Sequence, residues 1–299
     1  MKKVAILLLG TAVLTGCGSE DSGDSNDHHA SSSYIGAIEA VDTNTDTMTI
    51  NSMPLSLAST RIELNGHYVD KNNLAAGMQV DVEFDDGVAY EVDLDPEIVG
   101  AVEEVKADSI KVNGQLFTFS NLDVSNIVVG DWVMLSGYID ATPKWVLTAI
   151  NEINFTTQAL HEGKISALNL NTKTFKIGDV DIEYSGAFLD HEDESELSEG
   201  AWVEIEGSYN TASKIFDATD VDVEDGLDLA NAEVEGYVTT LVLNNGVGMM
   251  TLNGKTVVTI TENTRFEDGT KDQLKVGSKV DVDLINNAGQ LQASEIEFD

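Results

Sequence analysis

The feature that most constrains the fold of this chain is a nine-residue motif that occurs four times. In each copy an apolar residue is followed three positions later by a glycine and three positions after that by a valine. The copies are Leu74–Val82, Ile127–Leu135, Leu197–Ile205 and Leu274–Val282. The pattern predicts a short turn or helical stub, ended by the glycine, and then a strand whose alternate residues face a core. Repetition at this spacing indicates a series of similar structural units.

Further strand and turn signals recur around this motif. Each unit opens on a glycine and an apolar strand, and the opening glycines are Gly36, Gly100, Gly163 and Gly236. A second strand follows, and in two units it ends at Asn113-Gly114 or Asn253-Gly254. Asn-Gly is the strongest short hairpin signal, because both residues accept a positive φ. Each unit is therefore predicted to hold five short strands, with the helical stub between the third and the fourth. That order favours an OB-like small β-barrel over a small open sandwich.

The predicted organisation has a leader, a tether and four tandem units in an all-β chain. The ranges are a lipoprotein signal peptide at 1–16, a flexible tether at 17–33, and OB-like repeats at 34–95, 96–157, 158–231 and 232–299. These repeats are called units 1 to 4 below. A unit of this size buries only about 60% of its unfolded surface. We therefore expect neighbouring units to pack on one another.

The opening Gly-x-Ile, the Asn-Gly turn and the Leu-x-x-Gly-x-x-Val-x-Val motif together resemble a known family. It comprises repeated domains of bacterial lipoproteins and exported proteins, described only as a domain of unknown function (family 5666). The resemblance covers about residues 34 to 299. Its motifs are structural, so it implies a fold and a location outside the cytoplasm, and it carries no catalytic residues.

The N-terminus resembles that of a bacterial lipoprotein. Lys2 and Lys3 precede an apolar run from Val4 to Leu14, which is too short for a comfortable transmembrane helix. Leu14-Thr15-Gly16-Cys17 looks like a lipobox, and the resemblance implies that Cys17 is acylated and becomes the first mature residue. An ordinary signal peptide is the alternative. We predict a lipid-anchored protein of the cell envelope, at the outer membrane, facing the periplasm or the exterior.

The negative charge of the chain argues against nucleic acid as a partner and raises the question of calcium binding. A formal net charge of -37 repels nucleic acid and anionic membrane surfaces. The acidity provides solubility or, as a sharper alternative, binds divalent cations. We expect no cofactor, with calcium as the alternative. Asp42, Asn44 and Asp46 have the spacing at which a calcium loop begins, but Thr47 stands where such a loop needs glycine. A simple hairpin turn is the other interpretation. The acidic run 191–196 is a second cation candidate.

The tryptophans are the most specific candidates for binding. The position before the motif valine holds Gln79, Trp132, Trp202 and Lys279 in the four units. Strand alternation predicts that this position faces outward, so Trp132 and Trp202 are expected on an outer sheet face. Trp145, in the last hairpin of unit 2, is a third exposed candidate. Exposed aromatic residues of this kind mark a ligand or partner site. For Trp132 and Trp202 the alternative is that they bury against each other where units 2 and 3 meet.

The sequence favours a protein that is not an enzyme. It contains no Gly-x-Ser-x-Gly, His-Glu-x-x-His or glycine-rich phosphate loop, and its single cysteine is the predicted lipidation site. The expected function is a binding or adaptor module for a polysaccharide or an envelope protein. A structural spacer of the cell surface, stiffened by calcium, is the alternative.

Overall fold

A computed structural model describes residues 32–153, 158–189, 197–224 and 229–298. Within these ranges the secondary structure is almost entirely β, with short 3-10 helices at Lys71–Asn73 and Lys271–Gln273. Both 3-10 helices lie just before a repeated glycine motif, where the sequence predicts a helical stub. Across the described ranges, no helix has the length and apolar character needed to span a membrane.

The strands follow the same order in each unit. Unit 1 contains β1 (Ser32–Ala37), β2 (Ala40–Asp42), β3 (Thr47–Ile50), β4 (Met53–Ser56), β5 (Arg61–Leu64), β6 (His67–Tyr68), β7 (Gln79–Asp85) and β8 (Val88–Leu94). Unit 2 contains β9 (Ile98–Lys106), β10 (Ser109–Val112), β11 (Gln115–Thr118), β12 (Trp132–Ile139) and β13 (Trp145–Ile153). Unit 3 contains β14 (Ala159–Asn169), β15 (Thr174–Ile177), β16 (Val180–Glu183), β17 (Phe188–Leu189), β18 (Trp202–Asn210) and β19 (Ile215–Val223). Unit 4 contains β20 (Glu233–Asn244), β21 (Val247–Leu252), β22 (Thr256–Ile260), β23 (Arg265–Glu267), β24 (Lys279–Asn286) and β25 (Leu291–Phe298).

In units 1, 3 and 4, strand pairing runs round the unit and returns to its start. In unit 3, β14 pairs antiparallel with both β18 and β15, and β15 pairs with β16. The third strand, β16, then pairs parallel with β19, which is antiparallel to β18. Units 1 and 4 have the same circuit of pairings. A long first strand can join two partners because its two halves pair with different neighbours.

A β-bulge recurs in the hairpin that closes each unit. The register shifts at Glu83/Phe84, Ser136/Gly137, Glu206/Gly207 and Asp283/Leu284. Gly137 and Gly207 occupy the bulge in the two middle units, where a Cβ would clash with a backbone carbonyl oxygen of the facing strand. Bulges bend a strand and increase its twist. Beyond these bulges, Ile139 of β12 and Tyr209 of β18 contact neighbouring units, at Gly254 and Gly114.

The four units are fused into two larger sheets. The parallel pairing of β1 with β20 joins unit 1 to unit 4, at Tyr34↔Glu233 and Ile35↔Val234. The antiparallel pairing of β9 with β14 joins unit 2 to unit 3. The first and last units are thus in direct contact.

The motif valines form the centre of the units. Val80, Val133, Val203 and Val280 are each fully buried. The core of unit 1 also takes in Val99, Met134 and Ala149 from unit 2 and Leu160 from unit 3. The expected packing between units is therefore confirmed, as is the prediction of an all-β chain with tandem repeats. The OB-like form of each unit is a finer assignment that stays a prediction.

Candidate functional site

A cleft that bears a predicted binding residue lies between units 2 and 3. It has a volume of about 560 Å³ and is called the aromatic cleft here. Its lining includes two aromatic side chains, Trp132 and Tyr209, and polar groups from Glu103, Asn113 and Ser208. Sites for small molecules typically have volumes of about 300–1,000 Å³, with aromatic walls and a few convergent polar groups. The aromatic cleft has that composition.

Two repeated features of the sequence position the aromatic walls. Trp132 is the first residue of β12, two residues after Gly130, the motif glycine of unit 2. Tyr209 lies near the end of β18, two residues beyond the bulge glycine Gly207. Its ring packs on the Asn-Gly turn of unit 2, where a Cβ on Gly114 would lie only 2.5 Å from the Tyr209 hydroxyl. Gly114 has φ of 80°, so both its backbone and this close contact require glycine.

The polar base of the cleft also holds the two units together. Asn113 is 2% exposed, and its Nδ2 donates hydrogen bonds of 3.0 Å to the carbonyl oxygens of Val99 and Leu160. One amide therefore links the opening strands of units 2 and 3. Because these bonds fix the side chain, its position does not depend on a ligand.

An acid and a phenol complete the polar lining. The Glu103 carboxylate accepts hydrogen bonds from the backbone N–H of Gly114, at 2.5 Å, and from Lys111 Nζ, at 3.0 Å. Burial, together with the nearby Glu103 carboxylate, raises the pKa of the Tyr209 phenol. The phenol therefore stays protonated at neutral pH and is able to donate a hydrogen bond in the cleft.

Trp132 is half-buried and lies where three units meet. It packs against the core of unit 1 and also against the core of unit 3. The expectation that it stands on an open outer face is therefore wrong in part, because the neighbouring units cover some of the ring. The remaining surface lines the cleft.

Trp202, at the equivalent position of unit 3, is buried and only 5% exposed. The prediction that it faces outward is wrong, because unit 2 covers that face of unit 3. Trp145 is half-buried beside it, with ring centroids 6.4 Å apart, and its other ring contact is Phe117 at 5.9 Å. Trp145 and Trp202 thus form a contact between units 2 and 3, whereas the alternative that the sequence left open paired Trp202 with Trp132. Ligand binding at these two residues remains only a prediction.

Trp202 also belongs to a buried polar group that we call the charged junction, formed by Trp202, Glu162, Glu97, Glu224 and Lys255. The Glu162 side chain is 1% exposed. Its Oε2 accepts hydrogen bonds of 2.9 Å from Trp202 Nε1 and from Lys255 Nζ, which comes from unit 4. Buried ion pairs require such additional hydrogen bonds to offset desolvation. The charged junction therefore connects units 3 and 4.

The carboxylates of the charged junction outnumber its lysine, and their pKa values reflect this. Burial, reinforced by Glu162, raises the pKa of Glu97 well above its usual value. Burial raises the pKa of Glu224 to about 7, although Lys255 opposes the change. Burial alone would lower the pKa of Lys255, but Glu162 and Glu224 outweigh it and hold that pKa well above normal. Lys255 therefore remains charged at neutral pH.

The candidate calcium residues of unit 1 form a hairpin turn. The Asp42 carboxylate accepts hydrogen bonds from the backbone N–H of Asn44, at 2.9 Å, and from its side-chain amide, at 3.2 Å. The first of these hydrogen bonds lowers the pKa of Asp42. Asp46 pairs with Lys71 at 2.7 Å and has φ of 51°. The geometry supports the turn interpretation. Calcium binding by Asp42, Asn44 and Asp46 remains an untested prediction.

Two predicted features lie outside the described residues. They are the N-terminal segment 1–31, with Cys17 and most of the predicted tether, and the acidic run 191–196. Ser32 and Ser33, predicted as the end of the tether, belong instead to β1.

Sequence reasoning missed Tyr209 and Glu162. A signal for the second was present, because a glutamate directly precedes the opening glycine in units 3 and 4, as Glu162 and Glu235. Both are buried, and each pairs with a lysine of unit 4: Glu162 with Lys255 at 2.9 Å, and Glu235 with Lys279 at 2.7 Å. Tyr209 had no such signal, since its role depends on how unit 3 docks on unit 2.

The fold and the clefts define an all-β protein of fused tandem repeats. Residues 35–90, 99–150, 162–222 and 235–297 match the family described as Domain of unknown function (DUF5666). The chain belongs to this family, as its motifs predicted.

Among individual proteins, the chain is similar only at low sequence identity to the solved structures described below. No curated protein matches the chain. A Streptococcus pneumoniae multidomain protein with nucleic acid binding domains is similar at 15% identity, over 66% of this chain and 72% of that one, with a TM-score of 0.17. A structure titled drosophila Unr CSD456 is similar at 12% identity, over 69% of this chain and 98% of that one, with a TM-score of 0.19.

Proposed function

We propose that this protein is a non-enzymatic binding protein of the cell envelope, and that its aromatic cleft binds a neutral polysaccharide. The observation that carries the proposal is the pairing of Trp132 and Tyr209 in one cleft with the polar groups of Asn113, Glu103 and Ser208. Aromatic faces pack on the apolar faces of sugar rings, and hydroxyl, amide and carboxylate groups bind sugar hydroxyls.

The charge of the protein narrows the class of polysaccharide. A net charge of -37 disfavours polymers that carry carboxylate, sulfate or phosphate groups. Glu103 lines the cleft as a hydrogen-bond acceptor, which suits hydroxyl or N-acetyl donors. Neutral glycans fit both observations.

The geometry of the protein favours glycan binding over the two other functions, an adaptor for an envelope protein and a structural spacer. An envelope protein needs an interface that buries more than about 1,000 Å², with good complementarity, whereas the aromatic cleft is a local concavity. A spacer is best served by an extended chain of units, and the pairing of β1 with β20 brings the two terminal units together. Both observations favour the glycan.

We also propose that each unit is an OB-like barrel. The support is the circuit of pairings in units 1, 3 and 4, in which the third and the last strand are parallel, as for β16 with β19. Unit 2 shares the order of the strands. Small barrels of this kind use one face and its loops for oligosaccharides or oligonucleotides. In this chain the negative charge favours the former.

The proposed location rests on the N-terminal sequence. The lipobox-like Leu14–Cys17 supports acylation at Cys17 and attachment to the outer membrane. The tether of 17–33 would span about 20–25 Å at roughly 5–6 Å × √n. That length holds the folded units off the bilayer, within reach of a surface or periplasmic glycan.

The test is a binding titration with defined probes. Neutral hexasaccharides of glucose, mannose, galactose and N-acetylglucosamine are titrated against the purified protein, with a polyuronate of matched length as the charged control. We expect at least one neutral probe to bind and the polyuronate to fail at low salt. Trp132→Ala should weaken that binding at least tenfold.

Tyr68→Leu is the matched control, because Tyr68 is 72% exposed and does not line the cleft. It should leave binding unchanged. Failure of every neutral hexasaccharide to bind the folded protein would overturn the proposal. Capture of an envelope protein that Trp132→Ala abolishes would replace it with the adaptor function.

A further inference from the structure

A second, smaller cleft lies where units 1, 2 and 4 meet. It has a volume of about 230 Å³ and is called the tyrosine cleft here. Tyr138 from unit 2 and Tyr237 from unit 4 line it, with Gln79 from unit 1 and Lys279 from unit 4. Gln79 and Lys279 occupy the repeat position that holds Trp132 in the aromatic cleft. Two clefts of this protein are therefore built on equivalent positions of the repeat.

The bases of the two clefts are alike in detail. Asn113 lines the aromatic cleft and Asn253 lines the tyrosine cleft, and each is the asparagine of an Asn-Gly turn. The side chain of each donates a hydrogen bond to the carbonyl oxygen of the residue before the opening glycine. The bond reaches Val99 at 3.0 Å in unit 2 and Glu235 at 3.3 Å in unit 4. The same side-chain lock therefore shapes both bases.

The walls of the two clefts are also built in the same way. In the aromatic cleft the end of β18 from unit 3 packs on the Asn-Gly turn of unit 2, through Tyr209 on Gly114. In the tyrosine cleft the end of β12 from unit 2 packs on the Asn-Gly turn of unit 4. A Cβ on Gly254 would lie 2.9 Å from Ile139 Cβ, and Ile139 donates its N–H to the carbonyl oxygen of Asn253 at 3.2 Å. One docking geometry thus produces both clefts.

The tyrosine cleft has its own aromatic surface and polar groups. The rings of Tyr138 and Tyr237 stack with centroids 4.5 Å apart and planes inclined by 15°. Lys279 Nζ lies 2.7 Å from Glu235 Oε2, and the Tyr34 hydroxyl donates to the same oxygen at 3.3 Å. Lys279 and Glu235 therefore neutralise each other beside the aromatic surface. Glu39, which also lines the cleft, accepts a hydrogen bond from the backbone N–H of Ser52 at 2.8 Å.

We propose that the tyrosine cleft is a second saccharide site, which takes one ring or the terminal residue of the same neutral glycan. The inference rests on the proposed function of the aromatic cleft. The volume of the cleft, about 230 Å³, limits the ligand to a single sugar ring. Sites for larger small molecules have volumes of about 300–1,000 Å³. The protein then holds a glycan at two points, and two weak sites give a useful joint affinity for a polymer.

The test counts binding sites calorimetrically. Neutral trisaccharides of glucose, mannose, galactose and N-acetylglucosamine are used, so that each cleft binds its own molecule. We expect two sites in the wild-type protein and one in Trp132→Ala. Tyr138→Leu, which keeps an apolar side chain but removes an aromatic face, should also leave one site. Tyr68→Leu should retain both.

The outcomes separate this inference from the function on which it rests. A wild-type protein with one site, lost in Trp132→Ala, would overturn the tyrosine cleft as a site and leave the proposed function standing. Two sites that both persist in folded Tyr138→Leu and Tyr237→Leu would also overturn it. Thermal unfolding curves establish that each variant is folded. If one variant is not folded, the number of sites in the wild-type protein and the result for the other variant decide. If no trisaccharide or hexasaccharide binds at all, both proposals fall.

Discussion

The aromatic cleft and the charged junction place equivalent tryptophans in different surroundings. Trp132 and Trp202 occupy the same position of the repeat, one residue before the motif valine. Trp132 retains a surface in a cleft, whereas Trp202 is 5% exposed and donates its indole N–H to Glu162. The neighbouring units differ, and they decide which face is covered. The position in the repeat therefore specifies which way a side chain points in its own unit. The docking of other units determines whether that side chain lines a cleft or is buried.

The largest expected effect is on the charged junction. Lys255→Met removes the cation that pairs with Glu162 and leaves a buried carboxylate, so we expect a loss of about 3 kcal/mol in the free energy of unfolding. Urea denaturation measures it. The double variant Glu162→Gln/Lys255→Met should recover at least half of the loss, because the uncompensated charge is gone. A loss below about 1 kcal/mol for the single variant would contradict the role of the charged junction.

The two tryptophans should respond differently to the same substitution. Trp202→Phe removes a hydrogen bond to a buried carboxylate and should cost about 2 kcal/mol of stability without weakening glycan binding. Trp132→Phe keeps most of the packing and should cost under about 1.5 kcal/mol. Its effect should appear in affinity, as a loss of a few fold. Chemical denaturation and glycan titration on both variants distinguish these outcomes, and equal effects of the two on both readouts would contradict the comparison.

The pH dependence of stability tests the carboxylates of the charged junction. The folded-state pKa of Glu224 is about 7, above its ordinary value of 4.5. The folded protein therefore binds an extra proton between these values, and the contribution of Glu224 to stability is lost as pH rises through about 7. Glu224→Gln mimics the protonated form. We expect it to match the wild type near pH 5 and to exceed it by roughly 1–3 kcal/mol at pH 8. His161, whose pKa burial lowers to about 3, is present in both proteins, so its effect cancels in the difference.

The smallest effect is expected at the turn of unit 1, far from both regions. Asp42→Ala removes the hydrogen bonds to Asn44 and should cost about 0.5–1 kcal/mol, with no change in glycan binding. Thermal unfolding with and without millimolar calcium is the measurement. A calcium-dependent rise in the unfolding midpoint that Asp42→Ala abolishes would instead establish a cation site.

Much of the fold was predictable because it depends on local sequence. The burial of the four motif valines follows from strand alternation. The turn at Asn113-Gly114 follows because both residues tolerate a positive φ. The contact between neighbouring units was expected from their small size. The family match confirmed what the motifs predicted.

The arrangement of the units was not predictable by the same reasoning. The pairing of β1 with β20 joins residues about two hundred positions apart, and no local pattern specifies it. The predicted outward position of Trp202 is wrong, because Trp202 is buried with Trp145 of unit 2 beside it. Tyr209 was missed for the same reason. In this chain the two clefts and the charged junction lie between units. The sequence pattern of one unit does not specify how another unit docks on it.

The central claim is that the aromatic cleft binds a neutral glycan through Trp132, and the indole N–H signals in a ¹⁵N correlation spectrum test it directly. The chain contains 3 tryptophans, so three signals are expected, and single Trp→Phe variants assign them. On saturation with a neutral hexasaccharide that binds, the Trp132 signal should shift while the Trp202 signal, held by Glu162, stays in place. A Trp132 signal that does not move under those conditions would contradict the account.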